Sequence, residues 1–161
     1  MQFQNSISKI IHFFSKVSGA SEDRIRELIK FCIVGGSGVV INMGLLYVFT
    51  QTAQLKIEFA SPLAIESSML SNFFFNNLWT FRRRDISESI LVRLLKFHLV
   101  TGLAGIANYV VLLGLVNFTG MDKFLANFIG ITVGFIINYS LNSRWTWKKE
   151  KPNKLPGNDN T

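Results

Sequence analysis

The sequence predicts an all-α membrane protein of four transmembrane helices, built from two parallel two-helix repeats. Three observations carry that expectation. Residues 30–84 realign on residues 96–150 at a constant offset of 66, without a gap and with twelve identical pairs. Four stretches are long and almost free of charge, and the bases that remain are crowded into alternate connections. A fixed internal period marks one supersecondary unit used twice.

The identical pairs include residue types that apolar segments do not share through composition alone. Lys30, Phe31, Val34, Gly36 and Asn42 recur as Lys96, Phe97, Val100, Gly102 and Asn108. Leu46, Ala60 and Ile65 recur as Leu112, Ala126 and Ile131, and the closing block Asn72, Asn76, Trp79, Thr80 recurs as Asn138, Asn142, Trp145, Thr146. Each copy then leaves through bases, Arg82-Arg83 and Lys148-Lys149.

Taken in order, residues 1–20 place Phe3, Ile7, Ile10, Ile11, Phe14 and Val17 at helical spacing among Gln4, Ser8, Lys9, Ser15 and Lys16. That pattern suits an amphipathic helix lying along the inner leaflet, or one docking on a partner. A single base ahead of the apolar run and no small-residue cleavage site argue against a signal peptide. The first repeat, 21–84, opens at Ser21-Glu22-Asp23, an N-terminal helix signal. Its first span, Phe31 to Ala53, has no ionisable side chain except Cys32 and Tyr47; its second, Phe59 to Phe81, carries one acid, Glu66. Pro62 suits the first turn of that helix, where a missing N–H costs little. The second repeat, 85–150, holds a span from Phe97 to Gly120, ionisable only at His98 and Tyr109, and one from Phe124 to Trp147 containing Arg144. Asp122 is placed to cap the last helix. Each stretch exceeds the roughly 20 residues that cross about 30 Å of hydrocarbon. The tail, 151–161, is polar and expected to be disordered.

A soluble bundle of buried helices would need an amphipathic shell that 161 residues do not supply. Fifteen Phe and only 17% charged residues agree with a membrane protein. Five bases precede the first span, five lie between the second and third, and five end the chain, against Lys56 and Lys123 in the other two connections. By the positive-inside rule both termini and the middle loop lie in the cytoplasm, with the protein multi-pass in the inner membrane. Both copies then enter the bilayer in the same sense, as parallel repeats related by an axis along its normal.

Polar residues at membrane depth mark the candidate site. Asn72, Asn76 and Trp79 fall on one helical stripe, as do Asn138, Asn142 and Trp145, while Asn42 and Asn108 sit near the middle of the first and third spans. They serve either as interhelical hydrogen-bonding partners, each worth roughly 0.6–2 kcal/mol, or as the lining of a polar route. The glycines at 35, 36, 38, 102, 105, 130 and 134 permit close helix approach. Glu66, opposed to Thr132 in the other copy, lies near mid-bilayer, and Asn77 falls close to its stripe. An acid at that depth is costly and by default functional; it is either a hydrogen-bonded structural carboxyl or a proton-exchanging or hydroxyl-binding residue. Lys30, Arg82 and Arg83 in one copy, Lys96, Lys148 and Lys149 in the other, and Arg144 in place of Leu78, cluster at the inner boundary. Topology and anionic lipid account for such bases, and so does phosphate capture. Orientation absorbs the net charge of +7, leaving nucleic acid unnecessary as a partner. No catalytic constellation, cofactor or metal site is indicated, and the single Cys excludes an internal disulfide.

From Lys30-Phe31 through Asn42, and from Asn72 through Trp79-Thr80-Phe81-Arg82, the chain resembles the GtrA-like family, with departures at His98, Thr101 and Trp147. The resemblance covers residues 25–149. It implies four helices and a role in cell-surface polysaccharide synthesis. On that analogy the chain moves a polyprenyl-phosphate-linked sugar across the membrane, or serves as a non-catalytic anchor or accessory subunit of a membrane glycosyltransferase, with membrane lipid and further copies of itself as other partners. The bases would hold phosphate, and the Asn residues and Glu66 would bind sugar hydroxyls. A small proton-coupled exporter is a weaker alternative, because its membrane Glu is expected in the first span.

Overall fold

The computed structural model of the chain describes residues 11–149. Among these residues all regular structure is helical. A segment at 11–18 is followed by four long helices, α1 (Glu22–Tyr47), α2 (Ile57–Phe75), α3 (Ile90–Thr119) and α4 (Lys123–Leu141). Three of them run on into five-residue π-helical turns, Val48–Thr52 after α1, Asn76–Thr80 after α2 and Asn142–Thr146 after α4. The chain divides after Arg82 into two compact units, each holding one helix pair.

In the first unit α1 buries Phe31, Val34 and Gly38 against Ala60, Ala64, Ser68 and Phe73 of α2. Lipid offers no hydrophobic drive for two apolar helices to associate, so packing and hydrogen bonds between close backbones must do it. The approach is close here: the Ser68 hydroxyl donates to the Gly38 carbonyl at 2.6 Å. In the second unit α3 buries Phe97, Val100 and Ala104, and α4 buries Ala126, Gly130 and Gly134. A Cβ placed on Gly134 would lie 2.9 Å from the Ala104 carbonyl, closer than real Cβ atoms come. Positions 38 and 104, and 68 and 134, are related by the 66-residue offset. The narrow crossing is made by Gly with Ser in one unit and by Ala with Gly in the other.

The ends of the helices show how locally the sequence acts. Asp122 Oδ1 accepts from the amides of Phe124 and Leu125 at 3.0 and 3.1 Å, the cap its position predicts. Gly120 at φ 66° turns the chain out of α3, a conformation that costs glycine little. Ser89 caps α3 through Val92 N at 3.4 Å. Ser21 has the extended backbone of an N-cap but makes no side-chain cap bond; Glu22 behind it turns instead to His12 and Arg26, at 3.1 and 3.5 Å. Pro62 also departs from its expected place. The helix begins at Ile57, so Pro62 falls in its second turn and removes a bond that Glu58 O would otherwise accept. An extended Lys56 starts the helix early, its carbonyl taking the amides of Phe59 and Ala60 at 3.0 Å.

Glu22–Thr52, Ile90–Thr119 and Lys123–Thr146 are long and apolar enough to cross a membrane. The second helix differs. With its π turn it is as long as the last, but Pro62, Glu66, Ser67, Ser68, Ser71 and Asn72 dilute its apolar character. Around the pairs, large apolar side chains such as Val40, Met43, Leu103, Val110, Phe124 and Phe128 stand exposed, as expected when the solvent is lipid. In the N-terminal segment Ile11 is buried, and Phe13, Phe14 and Val17 are exposed. The expected apolar positions Phe3, Ile7 and Ile10, and the tail 151–161, lie outside the described residues.

Candidate functional site

The π turns that close α2 and α4 carry the residues repeated between the two copies. In each, an amide five residues on replaces the usual fourth: Phe81 N donates to Asn76 O and Trp147 N to Asn142 O, both at 2.9 Å. Single π turns recur where a helix presents polar groups to a site. Beside each turn an aromatic pair seals the helix ends, Phe31 with Phe81 at 6.3 Å between centroids and Phe97 with Trp147 at 5.7 Å.

A lysine clasps each turn. Lys30 donates to the Trp79 carbonyl at 3.3 Å and stands 5.3 Å from the centre of the Trp79 ring. Lys96 stands 5.4 Å from the Trp145 ring. Cation–π contacts of this kind tie the charge to the ring face. The two lysines differ in what else they hold. Lys96 is ion-paired with Glu88, whose carboxylate oxygens lie 2.5 and 2.6 Å away. Lys30 has no acidic partner among the described residues, so its charge is still available to an anion. An apolar groove of about 500 Å³ runs beside it, walled by Ile33, Val34 and Ser37 of α1 and by Phe75 and Trp79.

The asparagine stripes differ more sharply. In the second unit they form a satisfied ladder. Thr146 donates to Asn142 Oδ1 at 2.7 Å, Asn142 Nδ2 donates to Asn138 Oδ1 at 2.7 Å, and the Thr101 hydroxyl reaches the same oxygen from α3 at 3.5 Å. The bonds run mainly along one helix, at i and i+4, rather than between helices as the sequence suggested. In the first unit the same residues are present and the ladder is absent. Asn72 Oδ1, Asn76 Oδ1 and Thr80 Oγ1 are buried, and no hydrogen-bond partner meets them among the described residues. Asn76 is 2% exposed and Thr80 4%. A buried acceptor left this way costs about 1–3 kcal/mol.

Two substitutions separate the units. Position 101 is Thr where its counterpart, position 35, is Gly, which removes the hydroxyl that reaches the ladder from the first helix. Position 104 is Ala where its counterpart, position 38, is Gly. The Asn72 amide lies on that glycine, where a Cβ would collide with its Oδ1 and Cγ at 2.5 and 2.7 Å. The side chain that should enter the ladder has instead folded onto the partner helix.

The remaining expected residues are placed as follows. Asn108 lies against Gly130, with its Oδ1 buried and unpartnered among the described residues. Asn42 and Asn77 are half-buried in the first unit. Glu66 lies near the middle of α2. Its side chain is exposed, on the opposite face of α2 from Ala64 and Ser68, because a step of two residues turns a helix about 200°. Arg82, Arg83, Arg144, Lys148 and Lys149 are exposed, with Arg82 closing the first unit and Arg83 opening the second. His98 donates from Nδ1 to the Leu94 carbonyl at 2.9 Å and packs on Phe97, a structural role. Arg84 escaped sequence reasoning. It donates to the Ser143 carbonyl, to the Ser143 hydroxyl at 2.8 Å and to the Trp147 carbonyl at 2.5 Å. Its guanidinium thereby caps the carbonyl end of α4, where a cation is favoured. Among the described residues no three His, Cys, Asp or Glu side chains gather closely enough to hold a metal ion.

Close-packed helix pairs with lipid-facing flanks, buried polar stripes and lysine–tryptophan clasps define a small helical membrane protein. Residues 30–147 match the GtrA/DPMS transmembrane domain, and the chain belongs to that family. It is also similar to a dolichol-phosphate mannosyltransferase of Pyrococcus furiosus, 40% identical over 127 residues. The match takes in 78% of this chain and 35% of that protein, so the chain spans about a third of its relative's length.

Proposed function

We infer that the chain translocates a polyprenyl-phosphate-linked sugar across the cytoplasmic membrane for cell-surface polysaccharide synthesis or glycosylation. One observation carries this reading. The first unit sets an apolar groove against a tryptophan that holds a lysine without an acidic partner among the described residues. Such a pairing receives an isoprenoid chain and the phosphate at its end, the charge-assisted bond being roughly twice as strong as a neutral one. Similarity to a protein that is itself a dolichol-phosphate mannosyltransferase supports the same ligand class. On this reading α2 also spans the bilayer, giving four spans in two parallel hairpins, with both termini inside.

Lys30, Arg82, Arg83, Lys96, Arg144 and Lys148 would meet phosphate at the inner face. Glu66 and Asn42, Asn72, Asn76 and Asn77 of the first unit would offer hydrogen bonds to the sugar in transit; Asn108, Asn138 and Asn142 stand at the places of Asn42, Asn72 and Asn76 in the second unit. The chain does no bond-breaking chemistry. Purified protein in liposomes is expected to move labelled polyprenyl-phosphoryl sugar between leaflets. Arg82→Ala with Arg83→Ala should reduce the rate at least tenfold, which corresponds to about 1.4 kcal/mol. Background transport by the unmodified protein would overturn the reading.

A second reading is favoured by the similarity to a dolichol-phosphate mannosyltransferase: the chain serves as a non-catalytic membrane anchor or accessory subunit of a polyprenyl-phosphate glycosyltransferase. Copurification with a membrane glycosyltransferase, without transport in liposomes, would decide for it.

A further inference from the structure

The two units carry the same ladder residues in opposite states, and the difference lies at the position where Thr101 stands in one and Gly35 in the other. We propose that the first unit binds the hydroxyl-bearing sugar of the lipid headgroup, a ligand hydroxyl taking the place at Gly35 that the Thr101 hydroxyl fills in the second unit. This rests on the phosphosugar-lipid reading and assigns its sugar to one of the two copies.

The chemistry of the unpartnered atoms names the ligand. Asn72 Oδ1, Asn76 Oδ1 and Thr80 Oγ1 are all able to accept, and they lack donors among the described residues. The phosphodiester of such a lipid is fully ionised at neutral pH and has no proton to give them, whereas its sugar has several. On this proposal the ligand enters over Gly35. Gly35 is exposed, and nothing lies within 4 Å of where its Cβ would be. In the second unit that volume holds a threonine side chain whose hydroxyl reaches the Asn138 oxygen at 3.5 Å. Gly38 completes the arrangement, since only a residue without Cβ lets the Asn72 amide lie on α1 rather than in a closed ladder. The second unit, with its ladder acceptors Asn138 and Asn142 satisfied and its lysine paired to Glu88, is the structural copy on this assignment.

Gly35→Thr tests this, since it builds the second unit's closure into the first at a position with room for it. Binding of farnesyl-phosphoryl mannose and of farnesyl phosphate is measured on the full chain in nanodiscs. The unmodified protein is expected to bind the mannosyl lipid about tenfold more tightly than farnesyl phosphate, the value of one well-made hydrogen bond. Gly35→Thr should abolish that preference and leave farnesyl phosphate binding as it was; Gly35→Ala, which adds a methyl and no hydroxyl, should lose less than about threefold. Asn76→Leu should lose the preference in the same way and stands in if Gly35→Thr does not fold. A Gly35→Thr or Asn76→Leu protein that keeps the full mannose preference overturns the assignment and leaves the lipid reading intact. An unmodified protein that binds both lipids equally also overturns it, and one that binds neither overturns the lipid reading as well.

Discussion

Asn142 and Asn76 occupy the same position in two copies of one unit, and they should respond differently to the same substitution. Asn142 is fully buried and is the hub of its ladder, donating to Asn138 and accepting from Thr146. Its replacement by Ala removes two bonds and strands both neighbours, so Asn142→Ala should lower stability by about 2–4 kcal/mol. Asn76 has an unpartnered Oδ1 in an equally buried place, so Asn76→Ala should cost less than about 1 kcal/mol. Thermal or denaturant unfolding of the two variants in one detergent measures the contrast directly. Equal losses would show that the first unit's ladder is closed in the folded chain. Gly130 has no such freedom. A Cβ there meets the Asn108 carbonyl oxygen at 2.7 Å, and backbone cannot swing aside as a side chain can. Gly130→Ala is therefore expected to destabilise the second hairpin by about 1–3 kcal/mol, read in the same unfolding experiment.

At the scale of elements, the connection into the second unit does more than join two hairpins. Arg84 leaves the end of the first repeat and ties down the end of α4, taking the carbonyls of Ser143 and Trp147 together with the Ser143 hydroxyl. A planar fork makes those contacts at once, which an ammonium cannot do. Arg84→Lys should consequently lose about 1–2 kcal/mol and Arg84→Ala somewhat more, with hydrogen exchange increasing first at Asn142–Thr146. Unfolding and exchange unchanged in Arg84→Ala would remove this cap from the account. The lysine–tryptophan clasps are a second element-level device. Trp79→Leu is expected to leave the helices intact while weakening lipid–phosphate binding several-fold, because Lys30 would lose the ring and backbone position that hold its ammonium.

For the whole molecule, the charge pattern makes a topological prediction. With Cys32 replaced by Ala, single cysteines at Gln54 and at Lys149 should label from opposite sides of the membrane. The site at 54 should react from outside intact cells, and the site at 149 only after permeabilisation. Labelling of both from one side would leave α2 outside the bilayer plane. That helix is the element whose span rests least on hydropathy, since it carries Pro62, Glu66 and a run of serines. The family assignment over residues 30–147 takes in α2, α3 and α4 whole and α1 from Lys30 onward.

Much of this protein could be read from its residues alone. The offset of 66, the long uncharged stretches and the grouped bases specify an all-helical membrane protein with its polar residues in two equivalent stripes, because lipid forces every backbone group into helices and tolerates few charges. The Asp122 cap and the Gly120 turn are equally legible, since both act within one turn of chain. What required the tertiary structure is the state of those stripes. Whether Asn72 joins a ladder depends on a missing hydroxyl at position 35 and a missing methyl at position 38 of another helix. A repeat alignment records those positions as ordinary mismatches between small residues. Glu66 opposite Thr132 and Arg144 opposite Leu78 differ in charge and stand out in the sequence, whereas the break at positions 35 and 38 is a matter of a few atoms of packing. Charge is visible in one dimension, whereas hydrogen-bond satisfaction depends on which atoms from distant segments come within 3 Å of one another.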